Sequence, residues 1–214
     1  VLIGDGTYDN RNILDHGNNL LPVFESQESL SKVNTFATDD FFAILSDGGS
    51  MRNTDLLNIA IGRLTVSTEQ EAMDMVQKII QYQTIDTTNS SLDCNINPSN
   101  GILGDWRNKV ILVSDDEDQN AYFNDIEIMA SKIEQTKPTQ NIIKIHADAY
   151  AQQPSATGER IPDAELAINQ RVNNGALLVN YIGHGGETGW AHEQILKVPT
   201  IQNWSNLSNM PVFM

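Results

Sequence analysis

The chain has 214 residues, 40% of them hydrophobic and 19% charged, a globular balance that suits one ordinary domain or two small ones. Its formal net charge of −15 excludes a nucleic-acid binder, because a polyphosphate would be repelled, and it disfavours a basic lipid-anchoring face. The single cysteine, Cys94, excludes an intrachain disulfide and a cysteine-based zinc cluster.

Residues 1–4 (Val-Leu-Ile-Gly) read as a buried strand running into the turn-rich loop "DGTYDNRN". Residues 36–45, "FATDDFFAIL", predict a strand before the turn "SDGGS", and 58–64, "NIAIGRL", a second short one. A helix follows in "STEQEAMDMVQKIIQYQT", where Ala72, Met75, Val76, Ile79, Ile80 and Tyr82 recur at helical spacing. Ser67 or Thr68 is its N-cap, with Glu71 placed for a capping box. The polar stretch after it, which holds Cys94, reads as a linker at 89–104 between a first α/β subdomain (1–88) and a second (105–214).

In the second part the pattern alternates. "KVILVSD" (109–115) predicts a strand, "NDIEIMASKIEQT" (124–136) a helix and "NIIKIHA" (141–147) a strand. "PDAELAINQRVNNG" (162–175) predicts a helix with Pro162 in its first turn and Gly175 as its stop. "ALLVNYIG" (176–183) is the next strand, and "MPVFM" (210–214) starts another. Continuous apolar strands between amphipathic helices predict an α/β fold, a mostly parallel sheet covered by helices on both faces. The ends read as cut, since "VLIGDG" opens inside a strand-like run and "NMPVFM" stops inside one. A piece of something longer is therefore expected, and missing targeting signals carry no weight.

Sites in open parallel sheets collect beyond the carboxyl ends of the strands. Two polar clusters fall there: His184 among Gly183, Gly185 and Gly186, and the acidic run "SDDEDQN" (114–120). A histidine so placed serves as general acid or base, and neighbouring glycines let backbone N–H groups approach a substrate carbonyl. The plainer alternative is a satisfied hydrogen bond in a tight glycine turn. His16 reads as a surface residue and His146 as a packed or edge one. His192 opens "HEQIL" but has no second histidine four residues on, which removes zinc. No phosphate-binding glycine loop and no Gly-x-Ser-x-Gly elbow occurs.

Asp116, Asp118 and Asn120 alternate like the start of a calcium loop, yet the glycine and terminal glutamate of an EF-hand are missing. A calcium site of another kind, there or at Asp5 and Asp9, stands beside the simpler reading of solvated acidic loops. Asp116 has a further role open to it, holding the imidazole of His184 in its productive tautomer. The site lacks a visible nucleophile, since Cys94 lies in the linker and no serine has a supporting motif.

"NNGALLVNYIGHGGETGW" closely resembles the histidine block of the gingipain-type cysteine peptidases, family C25, in the caspase-like clan. "VLIGDGTYDNRN", "IAIGRL", "VILVSDD" and "NIIKIHADAY" follow in the family's order, so the resemblance spans nearly the whole chain. It implies a caspase-like three-layer sandwich and acyl transfer by a Cys–His pair. In that pattern His184 matches the catalytic histidine and Gly185 the oxyanion-hole backbone donor. Asp116, or Asp115 or Asp118 after a small shift, matches the acid on the histidine. Glu187 and Trp190 lie where they line the substrate site, and for Trp190 packing is the equal alternative. The family's arginine-reading acid falls near Phe123–Asp125 without a clear equivalent. "NMPVFM" resembles the opening of the strand that carries the cysteine, which is expected a few residues past Met214, so this 214-residue piece is expected to be inert.

"GHGGETGWAHEQIL" and "GDGTYD" resemble the PorU-type sortase branch of the family, which serves the bacterial type IX secretion system. That branch implies an exported protein at the bacterial cell surface and outer membrane, working with other type IX outer-membrane components. Its polypeptide substrates carry C-terminal sorting domains, which are removed before the new carboxyl end is joined to anionic lipopolysaccharide. No cofactor is required by it, and calcium is expected only in a structural role. A secreted gingipain-like endopeptidase and an inactive caspase-like binding module are the alternatives.

Overall fold

The computed structural model describes residues 1–9, 11–13, 15, 17, 19–27, 35–51, 55–83, 104–156 and 158–214. His16, Cys94 and all of the expected linker except Gly104 lie outside the described residues. The chain divides into two compact units, Val1–Ile79 and Ile80–Met214.

In the first unit β1 (Leu2–Ile3), β2 (Phe24–Glu25), β3 (Ala37–Thr38) and β4 (Arg63–Leu64) are each two residues long. β1 pairs in parallel with β4, and β2 antiparallel with β3. The strand expected over 36–45 is thus mostly absent, because Asp40–Ala43 turns into a 3-10 helix. Local bonds take over from the ladder there: the Thr38 hydroxyl accepts from Asp40 N–H (3.2 Å), and Asp39 C=O from Phe42 N–H (2.9 Å). The strand expected over 58–64 shrinks to Arg63–Leu64, since β1 offers only two partners. Arg63 binds this unit together. It grips Asp39 through Nε (2.8 Å) and Nη2 (2.7 Å) and donates to the carbonyls of Gly4, Leu21 and Pro22. α1 (Glu69–Gln83) starts with the expected box, Thr68 Oγ1 accepting from Glu71 N–H and Glu71 Oε2 from the N–H groups of Ser67 and Thr68.

The second unit is built on β5 (Lys109–Ser114), α2 (Ala121–Thr136), β6 (Asn141–His146), the hairpin β7 (Gln153–Ser155) and β8 (Gly158–Arg160), and α3 (Pro162–Asn173). It continues through β9 (Leu178–Ile182), β10 (Gly185–Gly186), β11 (Gly189–Trp190), β12 (Leu196–Lys197), α4 (Val198–Gln202) and β13 (Val212–Phe213). The main sheet has the order β13-β9-β5-β6, with every pair parallel. Strand alternation splits its core in two. Val110 and Leu112 face Ile126 and Ala130 of α2, whereas Ile111 and Val113 face Ala164, Ile168 and Val172 of α3. This is the three-layer α/β sandwich, with β5 buried at its centre. Removing Leu112 back to alanine would cost about 2–5 kcal/mol, as for any fully enclosed leucine.

One helix boundary differs from expectation. α2 begins at Ala121 rather than 124, because its first turn has aromatic packing: Tyr122 meets the ring of His184 and Phe123 that of His146. α3 keeps its expected limits, starting at Pro162 and ending at Asn173 with Gly175 as the stop, at φ +81° against Asn209, where a side chain would collide with the Asn209 amide. Among the described residues no helix is long and apolar enough to cross a membrane.

Candidate active site

β5 and β9 lie side by side with Ser114 opposite Ile182, so both strands end at the same edge of the sheet. The next residue of β5, Asp115, continues the ladder by donating its N–H to Ile182 C=O (3.1 Å). Its carboxylate is buried beneath the turn that follows β9. There Oδ2 accepts the backbone N–H of His184 (2.8 Å) and faces the ring nitrogen Nδ1 (3.0 Å), while Oδ1 accepts Asp116 N–H (3.0 Å). A carboxylate only accepts, so Nδ1 carries the proton and Nε2 is the free nitrogen of the neutral ring. One side chain therefore sets both the backbone and the tautomer of His184.

Gly183 makes this fit feasible. A methyl group on its Cα would overlap the Asp115 Cβ and the Tyr181 hydroxyl and ring. That is a close-approach glycine at ordinary φ, so the glycine after the strand has a steric cause. Tyr181 completes the turn by donating its hydroxyl to His184 C=O (2.6 Å) and stacking flat on Trp190, centroids 4.3 Å apart. Burial and the Asp115 charge push the Tyr181 hydroxyl well above the ordinary phenol range, so it stays a donor.

The ring of His184 is 38% exposed and stands in a fence of carboxylates. Glu117 Oε2 lies 3.4 Å from Nδ1, and Asp118 Oδ2 lies 3.7 Å from Nε2, beyond hydrogen-bond range. The Tyr122 ring meets the imidazole edge-on at 5.4 Å, with its hydroxyl bonded to Asp118 (2.6 Å). That bond pushes the Tyr122 pKa up to about 12. His192 stacks on His184 at 5.4 Å and donates from Nδ1 to Glu117 Oε1 (2.6 Å), a bond that raises its pKa and favours the imidazolium. Asp116 and Glu193 both have raised pKa values, in each case first because burial penalises the charged form.

The residues expected from the sequence fare differently. Asp116 does not touch His184: its carboxylate accepts from Gln152 Nε2 (2.7 Å), and the imidazole partner is Asp115, one residue earlier. Successive side chains leave an extended strand on opposite sides, and Asp115, still on the ladder with Ile182, is the one turned to β9. Gly185 pairs with Trp190 in the β10–β11 hairpin. Because Ala191 N–H bonds His184 C=O (2.8 Å), the Gly185–Trp190 pair falls at a non-hydrogen-bonded position. The Gly185 N–H thus points outward from the edge strand β10. Glu187 is exposed at the hairpin tip, and Trp190 is half-buried between Tyr181 and Phe213.

His146 belongs to a separate network with Ser114 and Glu127. In the first unit, Asp5 Oδ1 accepts Gly6 N–H and Asp9 Oδ1 accepts Ile13 N–H, both as local turn bonds. Sequence reasoning missed Tyr122, Glu117 and His192 as neighbours of His184, and Glu193 as a neighbour of Asp115. The available signal was the Gly-Gly-Glu-Thr-Gly run: a two-residue hairpin turn at Glu187–Thr188 necessarily returns residues 191–193 to the level of 184.

The sequence profile described as Peptidase family C25 matches residues 1–214. No curated protein matches the chain. Two solved structures share its fold. One is the Arg specific cysteine proteinase gingipain R, 18% identical, with a TM-score of 0.55 over 83% of this chain and 34% of that one. The other is the complex of Porphyromonas gingivalis RgpB pro- and mature domains, also 18% identical at a TM-score of 0.55, over 83% of this chain and 36% of that one. The chain thus spans about a third of the length of the solved chains it matches.

Proposed function

The chain belongs to peptidase family C25, and on that premise we propose that it carries the acid–base half of a cysteine peptidase active site. The observation that carries this reading is His184, held by buried Asp115 at the sheet edge with Nε2 left free of hydrogen bonds. β13 runs parallel to β9, Met214 N–H bonding Val179 C=O and Tyr181 N–H bonding Met214 C=O. Continued in that register, the chain after β13 faces His184 roughly four residues on, and a cysteine there is the proposed nucleophile.

The reaction is acyl transfer. His184 Nε2 takes the thiol proton, and the thiolate sulfur bonds to the peptide carbonyl carbon. The outward N–H of Gly185 donates to the resulting oxyanion. As the C–N bond breaks, Nε2 returns the proton to the leaving amine, and the thioester passes to water or to an acceptor amine. Asp115 steadies the imidazolium at each stage. Glu187 and Trp190 are assigned to the substrate side of the hairpin.

Within the family we assign the chain to the sortase branch, on the wording of its histidine block and of its opening, "GDGTYD". The substrates are then exported proteins with C-terminal sorting domains, cleaved and joined to anionic lipopolysaccharide at the cell surface beside other type IX components. The test incubates the full-length protein with such a substrate and a soluble amine acceptor, and weighs the products by mass spectrometry. An amide-linked product supports the sortase. Hydrolysis alone returns the secreted endopeptidase, and an intact substrate with no thiol reactivity returns a binding module.

A further inference from the structure

Two peptide planes flank His184, and each has its own anchor. Asp115 Oδ2 holds the plane before it by accepting the His184 N–H (2.8 Å). The plane after it joins His184 C=O to Gly185 N–H, and its anchor is the carbonyl. That oxygen accepts from two donors, the Tyr181 hydroxyl at 2.6 Å and the Ala191 N–H at 2.8 Å. A trans peptide is planar, with its C=O and N–H pointing in opposite directions. Whatever fixes the His184 carbonyl inward therefore fixes the Gly185 N–H outward. The restraint matters here, because Gly185 is exposed, has nothing within 4 Å of where a side chain would start, and leaves the plane free to turn.

We propose that Tyr181 is a positioning residue for the oxyanion hole, its hydroxyl clamping the His184–Gly185 peptide so that the Gly185 N–H is aimed at the reacting carbonyl. The inference rests on the acyl-transfer reading and adds a residue to it. Tyr181 belongs to β9, opposite Val113 of β5, so the clamp springs from a strand inside the sheet rather than from a loop. Its ring lies flat on Trp190, the planes 5° from parallel, and Gly183 lies against its hydroxyl end. Burial, and then the Asp115 charge, keep the hydroxyl protonated and able to donate. A donor on a peptide oxygen also polarises the peptide, which strengthens the N–H at its other end. Ala191 bonds the same oxygen through its backbone; Tyr181 is the side-chain half of the clamp, and the half that a substitution can remove.

The test separates two reactions of the cysteine in the full-length protein. Alkylation by iodoacetamide needs the thiolate that His184 generates but forms no oxyanion, whereas cleavage of a sorting-domain substrate needs both. In Tyr181→Phe, kcat for cleavage should fall roughly ten- to a hundredfold, while KM and the alkylation rate stay near the parent's. A merely structural role would slow both reactions together or neither, and either result overturns the assignment. Should Tyr181→Phe fail to fold, 3-fluorotyrosine in place of Tyr181 keeps the ring and offers a more acidic hydroxyl, a stronger donor. With it kcat should rise at an unchanged alkylation rate, and an unchanged or lower kcat overturns the assignment. A parent whose alkylation does not depend on His184 defeats the acyl-transfer reading itself and this inference with it, a result distinct from parity between Tyr181→Phe and the parent.

Discussion

Adjacent residues at the end of β5 feed two histidines, and the two clusters are built on opposite terms. Ser114 serves His146, and Asp115 serves His184. Around His146 every group is paired: Nε2 donates to Glu127 (3.0 Å), Nδ1 accepts the Ser114 hydroxyl proton (2.7 Å), and Lys144 balances Glu127 at 2.8 Å. The ring is only 14% exposed. His184 is more open, faces carboxylates with no lysine or arginine paired to them among the described residues, and keeps Nε2 unbonded. A closed, charge-balanced network holds a fold together. An open, unbalanced one is ready to exchange a proton.

Substitutions can break that contrast, and the largest effect belongs to the open cluster. In the full-length protein His184→Ala should lower kcat/KM by roughly a thousandfold or more, with a melting temperature close to the parent's. Asp115→Asn comes next, with a loss of roughly a hundredfold to ten-thousandfold because the amide no longer dictates the tautomer. Steady-state kinetics on a cleavable substrate checks both, and a folded, fully active variant of either would erase the contrast.

Stability effects are smaller. Gly183→Ala should cost about 2–3 kcal/mol in urea unfolding, since the new methyl must displace either Asp115 or Tyr181. Ser114→Ala should cost about 1–2 kcal/mol by leaving His146 Nδ1 without its donor, while activity per folded molecule holds. Parity of that variant with His184→Ala in activity would mean the closed cluster is catalytic too.

The smallest effect is in pH. The Lys144 hydrogen bond, helped by His146, holds the Glu127 carboxyl below its usual range. A depressed acid contributes stability above its unfolded pKa, about 4.3, and loses it as pH falls through the folded value. Melting temperatures taken from neutral pH down to mild acid should show that limb in the parent and a flatter one in Glu127→Gln.

The layered fold was legible because continuous apolar strands such as "KVILV" and amphipathic helices such as α3 declare buried parallel sheet directly. Short two-residue strands in the first unit were not, since a ladder of two bonds barely outweighs a local turn at Thr38–Asp39. At the site, the edge and its histidine were readable from "YIGHGG". The acid was read first as Asp116, with Asp115 and Asp118 as the alternatives, and the structure puts Asp115 on the imidazole. Asp115 and Asp116 are chemically alike in sequence, and only the β5–β9 register, with the glycine that lets Asp115 approach, separates them. Tyr122 was hidden because the apolar periodicity starts the helix at 124, whereas aromatic packing extends it back to Ala121.

The most direct test of His184 as the base for a cysteine after β13 is labelling of the full-length protein by a peptidyl acyloxymethyl ketone, read by peptide mapping. The account predicts one modified cysteine, carried on the strand that follows Val212–Phe213, with labelling retained in Cys94→Ser and abolished in His184→Ala. Modification of Cys94, or labelling indifferent to the loss of His184, would contradict it.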